Sequence, residues 1–270
     1  MKPLTDYRDR VAIVTGASSG IGAGLARGLA RRGARVALVA RRRERLEELT
    51  REIESQGGAA LALPCEVEHR DQVEAAARAV KERFGRVDIL INNAGRGRHA
   101  LFKDHDVADI EDLMRVNYFG VVYWIKAVLP ALRERGEGWI VNLSSVAGKL
   151  GQPDESAYAA TKFAVAGLSE SLSYEFDPLG IHVLCVHPAL VRTEMFDDAV
   201  LARMPERAKR TFIEVEPFCE EVFAALGRGA YEVTIPRYVG IAYVLRVLAP
   251  GVLRRQTARI RLPVLPDLTR

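Results

Sequence analysis

Seven short runs of apolar, often β-branched residues recur along the chain, and longer segments with helical spacing of apolar residues separate them. The runs are uninterrupted rather than alternating, which is typical of strands buried on both faces of a sheet. The predicted strands are 11–14, 35–39, 60–63, 87–91, 139–143, 181–186 and 231–235, and the predicted helices are 22–32, 43–55, 71–84, 107–133 and 156–176. Because strands and helices alternate, we predict an α/β fold, a doubly wound parallel sheet of the Rossmann type.

The composition of the 270 residues, 49% hydrophobic and 27% charged, is that of a folded globular protein and excludes a disordered or collagen-like chain. The cysteines Cys65, Cys185 and Cys219 form no C-x-x-C pair, so we predict neither a disulfide framework nor a metal site. We find no signal peptide, and no apolar run reaches the roughly 20 residues of a membrane-spanning helix. We therefore expect a protein of a reducing compartment, the cytoplasm.

The formal net charge of +4 is unevenly distributed along the chain. The segment 237–270 contains seven arginines and one acid, so it carries +6 and the remainder of the chain carries −2. This distribution argues against a nucleic-acid-binding protein with a basic face throughout. The excess of arginine is a property of the C-terminal segment alone.

A glycine-rich turn at 15–22 (TGASSGIG) follows the first predicted strand and opens the first helix. Glycines at such a turn let the backbone approach a pyrophosphate, whose charge the free amides and the helix dipole stabilise. The spacing T-G-x-x-x-G-x-G is similar to that of the short-chain dehydrogenase/reductase family, and the resemblance extends over residues 8–235. It implies a catalytic domain at 8–235 with a substrate lid at 192–219, followed by a C-terminal extension at 236–270.

The residue after the second strand indicates which nicotinamide cofactor the chain binds. An acid there binds the ribose 2′-hydroxyl of NAD, whereas an arginine accommodates the 2′-phosphate of NADP. Arg41 occupies this position and no acid is present, so we predict NADP(H) in preference to NAD(H). We interpret Arg42, Arg43 and Arg45 as a solvated first turn of the next helix. The resemblance, including N-N-A-G at 92–95, implies that the cofactor is held by Gly16, Ser18, Ser19, Gly20, Ile21, Gly22, Arg41, Glu66, Val67, Asn93, Ala94, Gly95, Tyr158, Lys162, Pro188, Val191 and Thr193.

Tyr158 and Lys162 lie four residues apart on a predicted helix, so their side chains share one face. Together with Ser145, thirteen residues before the tyrosine, and Asn117, they match the catalytic Asn-Ser-Tyr-Lys tetrad of the family. The resemblance implies that Tyr158 exchanges a proton with the substrate, while Lys162 lowers the pKa of the tyrosine and holds the nicotinamide ribose. It also implies that Ser145 binds the substrate oxygen and that Asn117 holds a water linked to Lys162. Ser144 is the structural alternative to Ser145.

Other polar residues near these motifs have a structural interpretation. Asn92 is expected to tie adjacent strands through hydrogen bonds. No acid or nucleophile is patterned around His182 and His187, so we interpret both as packing residues. Ala189 follows Pro188 where the family usually has glycine, and alanine there requires a negative φ.

We expect a hydrophobic carbonyl or alcohol substrate, because the predicted lid contains apolar side chains at Met195, Phe196, Val200, Leu201, Met204 and Phe212. The segment 96–99 (RGRH) forms either a solvated loop or a cationic rim for an acidic head group. A reductase of 3-oxoacyl thioesters and a non-enzymatic, NADP-sensing scaffold are the alternative functions. By analogy with the fold, we expect a homodimer or homotetramer.

The C-terminal extension carries an apolar stretch at 238–253 among arginines. The stretch is too short to span a bilayer, but a helix with an apolar face and basic surroundings can lie in the interface of an anionic membrane. The alternative is that the apolar face packs on the body of the protein or on another subunit. Peripheral membrane contact through 238–261 is therefore one of two open expectations.

Overall fold

The computed structural model describes residues 2–194, 201, 204 and 206–258. The strands are β1 (Val11–Thr15), β2 (Arg35–Ala40), β3 (Ala59–Pro64), β4 (Ile89–Asn92), β5 (Gly138–Leu143), β6 (Ile181–Pro188) and β7 (Glu232–Ile235). The α-helices are α1 (Gly20–Arg31), α2 (Arg43–Ser55), α3 (Arg70–Phe84), α4 (Val107–Met114), α5 (Gly120–Arg135), α6 (Ser156–Phe176), α7 (Glu206–Lys209), α8 (Val215–Gly227), α9 (Ile241–Leu248) and α10 (Pro250–Thr257).

The seven strands form one parallel sheet in the order β3-β2-β1-β4-β5-β6-β7, and helices cover both of its faces. On one face α1, α2 and α8 enclose an apolar core that includes Leu25 and Phe218. On the other face α3, α5 and α6 enclose a second core that includes Trp124 and Val165. The predicted fold class is confirmed, and each predicted strand lies within two residues of its observed bounds.

Two segments differ from the sequence-based expectation. The single helix predicted at 107–133 is α4 and α5 joined by one turn of π-helix, Arg115–Phe119. The excursion predicted at 192–219 ends inside α8, which begins at Val215 and buries Phe218 and Cys219. Pro217 does not interrupt this helix, because a proline in the first turn removes an amide that has no helical partner.

The strand order reverses between β1 and β4, since the chain proceeds outward from β1 to β3 and returns to β4 on the other side. Ligands of open parallel sheets bind at the carboxyl ends of the strands at such a reversal. Beyond β7 the chain continues into α9 and α10. Among the helices of the described part, none is both long and apolar enough to cross a membrane.

Candidate active site

The turn between β1 and α1 has glycines at positions that no other residue fits. Gly16 has a φ of +65° and Gly20 a φ of +53°, in the left-handed region that side chains disfavour. A Cβ on Gly22 would lie 2.2 Å from the carbonyl oxygen of Gly16. No side chain caps the N-terminus of α1, and its first turn contains no acid. The turn thus has the close backbone packing and the exposed helix N-terminus that suit a nucleotide pyrophosphate.

Hydrogen bonds tie the end of β4 to its neighbours on both sides. The Asn93 side-chain nitrogen donates to the carbonyl oxygen of Thr15 at 3.0 Å, and the Thr15 hydroxyl accepts from the amides of Asn93 and Ala94, both at 3.0 Å. On the other side, Asn92 donates to the side-chain oxygen of Asn142 at 2.9 Å. Asn92 therefore links two strands, as predicted, while Asn93 fixes the floor of the site.

An open cleft with a volume of about 250 Å³ lies over this edge of the sheet. The residues that line it are Gly16, Ser18, Ser19, Gly20, Ile21, Ala40, Arg41, Arg42, Cys65, Val67, Glu68, Asn93, Ala94, Gly95, Arg96, Val116, Thr193 and Glu194. The glycine-rich turn, the residues after β2 and the N-A-G segment thus share one concave site. The lining of the cleft suits a nucleotide.

Arg42 has a larger part in this cleft than the sequence indicated. Its guanidinium donates to the Ser18 hydroxyl at 3.1 Å and to the Ser19 hydroxyl at 2.8 Å, and it forms an ion pair with Glu194 at 3.3 Å. Arg42 is exposed at the start of α2, as the interpretation of a solvated turn requires, but its guanidinium also contacts the glycine-rich turn. Arg41 also lines the cleft, as predicted, so two arginines face the position after β2.

Only some of the other predicted cofactor residues line the cleft. Val67 and Thr193 line it, and a Cβ on Gly20 would lie 2.9 Å from the Thr193 methyl carbon. Glu66 does not line it, because its carboxylate is 3.1 Å from His69 on the surface. Pro188 and Val191 are likewise not among the lining residues, and both are buried.

Ser145 follows β5, and Tyr158 stands in the first turn of α6. The Ser145 hydroxyl accepts a hydrogen bond from the Ala147 amide at 3.1 Å. Burial raises the pKa of Tyr158 to about 12, a hydrogen bond with the Ser145 side chain opposes this rise, and Glu155 adds to it. The phenol is therefore protonated at neutral pH and interacts with the serine side chain. Ser144, the structural alternative, donates to the carbonyl oxygen of Lys162 at 2.8 Å.

Lys162 is buried one turn beyond Tyr158 on α6. Its Nζ donates to the carbonyl oxygen of Leu143 at 2.9 Å and lies 5.7 Å from the centroid of the Tyr158 ring. Burial lowers the pKa of Lys162 to about 8, because the ammonium gives up hydration. The ammonium therefore lies beside the phenol ring, and its lowering of the pKa of Tyr158 stays a prediction.

Asn117 lies in the π-helical turn between α4 and α5, a geometry that often marks functional positions. Its side chain accepts from the Arg96 amide at 2.9 Å and donates to the Arg96 carbonyl oxygen at 2.9 Å and to the Thr161 hydroxyl at 3.0 Å. A Cβ on Gly95 would lie 3.2 Å from the Asn117 side-chain oxygen and 3.5 Å from Lys162 Nζ. The tetrad thus adjoins the cleft at Gly95.

Sequence reasoning missed one polar contact of the site. His187 is fully buried at the end of β6, and its Nδ1 lies within hydrogen-bond distance of the Ser145 carbonyl oxygen, at 3.0 Å. His182 is also buried and contacts the Ala230 carbonyl oxygen at 2.9 Å. Packing alone therefore describes His187 incompletely. The only signal in the sequence was its place directly after an apolar strand, at the ligand-binding edge of the sheet.

The segment 96–99 does not present free cations. Arg96 pairs with Asp112 and Arg98 pairs with Asp109 at 2.6 Å, both acids lying on α4. His99 faces Asp154 at 3.4 Å. These pairs favour the solvated loop over the cationic rim. Ala189 is not among the residues with positive φ, as the sequence required.

A family model of short chain dehydrogenases matches residues 10–203. Because this match covers most of the chain, the chain belongs to the short-chain dehydrogenase/reductase family. Members of this family are NAD(P)-dependent oxidoreductases that act on alcohols and carbonyl compounds. The motif-based identification of the family is confirmed.

Curated relatives share this family. The chain is 40% identical over 201 residues to dehydrogenase/reductase SDR family member 7B of Danio rerio, which covers 72% of this chain and 65% of that protein. It is also 40% identical over 192 residues to the fatty acyl-CoA reductase of Acinetobacter baylyi, which covers 70% of this chain and 65% of that protein. The chain thus spans about two thirds of the length of both relatives.

Solved structures are similar over most or nearly all of the chain. A short chain dehydrogenase/reductase from Burkholderia phymatum in complex with NAD superposes with a TM-score of 0.84 at 25% identity, covering 98% of this chain and 99% of that one. A gluconate 5-dehydrogenase from Burkholderia cenocepacia in complex with NADP and tartrate gives 0.75 at 32% identity, covering 84% and 94%. Both nicotinamide nucleotides therefore occur among similar structures.

Proposed function

We propose that the protein is an NADPH-preferring oxidoreductase that interconverts a ketone or aldehyde and the corresponding alcohol on a hydrophobic substrate. The observation that carries this proposal is the junction at Gly95. This residue lines the nucleotide cleft, and a Cβ placed on it would lie within 3.5 Å of both Asn117 and Lys162. Two residues of the tetrad therefore lie directly behind the lining of the cleft, which supports a site made of both.

The cofactor assignment rests on the cleft. The glycine-rich turn would hold the pyrophosphate, and Arg41 and Arg42, which directly follow β2, would face the adenosine 2′-phosphate. The 2′-phosphate would then replace Glu194 as the partner of Arg42. When bound, the nicotinamide supplies or accepts the hydride. Lys162 would hold the ribose beside the nicotinamide. Because similar structures contain either NAD or NADP, the proposed preference for NADPH rests on these two arginines.

The proton chemistry is assigned to Tyr158 and Ser145. Because a tyrosine phenol is protonated at neutral pH, the Tyr158 hydroxyl can donate to a carbonyl oxygen that becomes an alcohol. The Ser145 hydroxyl would hydrogen-bond the same oxygen as negative charge develops on it. In the opposite direction the tyrosine oxygen would accept the alcohol proton. The Lys162 ammonium would assist that step by stabilising the Tyr158 phenolate that accepts the proton.

A hydrophobic substrate is proposed from the apolar character of the predicted lid. Met195, Phe196 and Val200 lie outside the described residues, whereas Met204 is buried within the described part. The similarity to a fatty acyl-CoA reductase supports an acyl chain on the substrate, and an acyl thioester is therefore the second candidate. The ion pairs of Arg96 and Arg98 leave that candidate without the cationic rim it would use.

The test is NADPH consumption with a panel of medium- and long-chain ketones, aldehydes and acyl thioesters. We expect turnover with at least one ketone or aldehyde, and loss of turnover in Tyr158→Phe with NADPH binding retained. Tyr174→Phe is the matched control, because Tyr174 lies on the same helix but is 70% exposed. Equal turnover in wild type and Tyr158→Phe would contradict the mechanism, and a non-catalytic cofactor sensor would then replace it.

We propose a cellular compartment and an oligomeric state for the enzyme. Cys65, Cys185 and Cys219 are buried free thiols, which suits a reducing compartment such as the cytoplasm. We propose a homodimer or homotetramer by analogy with the fold, and light scattering of the purified protein measures it directly.

A further inference from the structure

Helix α9 presents its apolar stripe to solvent. Ile241, Val244, Leu245 and Leu248 recur at the spacing that places residues on one face of a helix. Their exposed fractions are 64%, 55%, 40% and 77%. A surface helix of a globular protein ordinarily turns such a stripe toward the core. The expectation that this face packs on the body of the protein is therefore wrong.

The opposite face of α9 holds the helix to the body of the protein. Lys149 Nζ lies 5.4 Å from the centroid of the Tyr243 ring, and Arg246 donates to the Lys149 carbonyl oxygen. The Arg246 guanidinium carbon lies 5.4 Å from the centroid of the Phe163 ring on α6. Because polar and aromatic contacts fix the inner face, the apolar stripe is held outward.

The segment that carries this stripe has charged side chains of one sign. From Val233 to Ala258 the chain contains no aspartate or glutamate and four arginines, at 237, 246, 254 and 255. Arg254 and Arg255 lie in the last turn of α10, whose Val252 is also exposed. An exposed apolar stripe flanked by cations is complementary to the interface of an anionic bilayer.

We propose that α9 and α10 dock the protein peripherally on an anionic lipid surface, with the α9 stripe among the acyl chains and the arginines at the headgroups. A second copy of the chain fits the same face less well, since a two-fold contact would bring the two sets of arginines together without counter-charge. The loop that joins Ser145 to Tyr158 carries Lys149, on which α9 rests. The docked face therefore lies beside the catalytic loop.

The test is cosedimentation of the full chain with vesicles of phosphatidylcholine alone and of phosphatidylcholine with phosphatidylserine. We expect binding to the anionic vesicles only, weakened by added salt. The double variant Ile241→Ser/Leu248→Ser and the double variant Arg254→Glu/Arg255→Glu should each bind about tenfold less. Val107→Ser is the control, because Val107 is equally exposed but lies on α4.

Thermal unfolding of each variant verifies that it is folded, which the exposure of the substituted side chains leads us to expect. Wild-type protein that fails to bind anionic vesicles would overturn the proposal. So would an Ile241→Ser/Leu248→Ser variant that binds like the wild type. If the wild type does not bind vesicles, and light scattering shows that it self-associates whereas this variant does not, a second copy of the chain covers the stripe instead.

Discussion

His187 Nδ1 lies 3.0 Å from the carbonyl oxygen of Ser145, so a buried imidazole contacts the backbone of the residue assigned to bind the substrate oxygen. The other ring nitrogen is 3.7 Å from Glu232 Oε2, which is 2.5 Å from Lys149 Nζ. These contacts connect the carboxyl ends of β5 and β6 to Glu232, the first residue of β7. His187 therefore contacts the backbone that carries the serine.

This arrangement predicts a pH-dependent contribution to stability. Burial lowers the pKa of His187, but interactions with Cys185 and Glu232 outweigh it and raise the value to about 9. The interaction with His187, together with that of Lys149, lowers the pKa of Glu232 to about 2. Because the pKa of His187 is raised, the protonated histidine stabilises the folded protein fully below pH 6.5, its ordinary pKa, and this stabilisation is lost as the pH rises toward 9. Because the pKa of Glu232 is lowered, the ionised glutamate stabilises the folded protein fully above pH 4.5, and this stabilisation is lost as the pH falls toward 2.

Denaturant unfolding of wild type and Glu232→Gln should therefore differ most between pH 4.5 and 6.5, and the difference should shrink as the pH rises toward 9. Glu206→Gln is the control, because Glu206 forms an exposed ion pair with Lys209. A difference between wild type and Glu232→Gln that stays constant from pH 5 to 9 would contradict the pairing.

Gly22→Ala is predicted to lose nucleotide binding and to destabilise the fold. The added Cβ would lie 2.2 Å from the Gly16 carbonyl oxygen, so the backbone of the turn must move. We expect a loss of about 1–3 kcal/mol in the free energy of unfolding. Gly167→Ala, on the exposed face of α6 with no atom within 4 Å of the added Cβ, should instead stabilise by about 0.5–1 kcal/mol. Unchanged NADPH affinity in Gly22→Ala would refute the role of the turn.

Asp88 is predicted to be a structural anchor remote from catalysis. Its carboxylate is fully buried, accepts from the Val11 amide at 2.8 Å and pairs with Arg86, and it lies 3.8 Å from Arg10 and 3.4 Å from Arg135. Asp88→Ala should lower the free energy of unfolding by about 2–3 kcal/mol, less than for a fully buried pair because the arginines reach solvent.

Urea unfolding measures this loss, with Glu48→Ala on the exposed face of α2 as control. The control should change the free energy of unfolding by less than about 0.5 kcal/mol. An equal effect of the two substitutions would mean that the buried carboxylate contributes nothing specific.

The strands and the nucleotide turn were predictable because each depends on local chemistry. Uninterrupted apolar runs have few alternatives to a buried strand, and glycines at 16, 20 and 22 stand where side chains collide. Helix α8 was not predicted from its first residues, because polar side chains and Pro217 hid the apolar face that Phe218 begins.

The orientation of side chains was less accessible. Arg41 and Arg42 are adjacent and chemically identical, and the sequence does not show that Arg42 is the one that contacts Ser18 and Ser19. The stripe on α9 was visible as a pattern, but its outward direction depends on contacts of Tyr243 and Arg246 with distant residues. Such contacts between distant segments leave no periodic signal in the sequence.

The measurement that tests the central claim most directly is a fluorescence titration of the purified protein with NADPH and with NADH. Wild type, Arg41→Ala and Arg42→Ala are compared, with Arg43→Ala as control because Arg43 is exposed and pairs only loosely with Glu47, at 3.8 Å. We expect NADPH to bind at least about tenfold tighter than NADH, roughly 1.4 kcal/mol, with the margin reduced in Arg41→Ala and Arg42→Ala but not in Arg43→Ala. Tighter binding of NADH, or no binding of either nucleotide, would contradict the assignment.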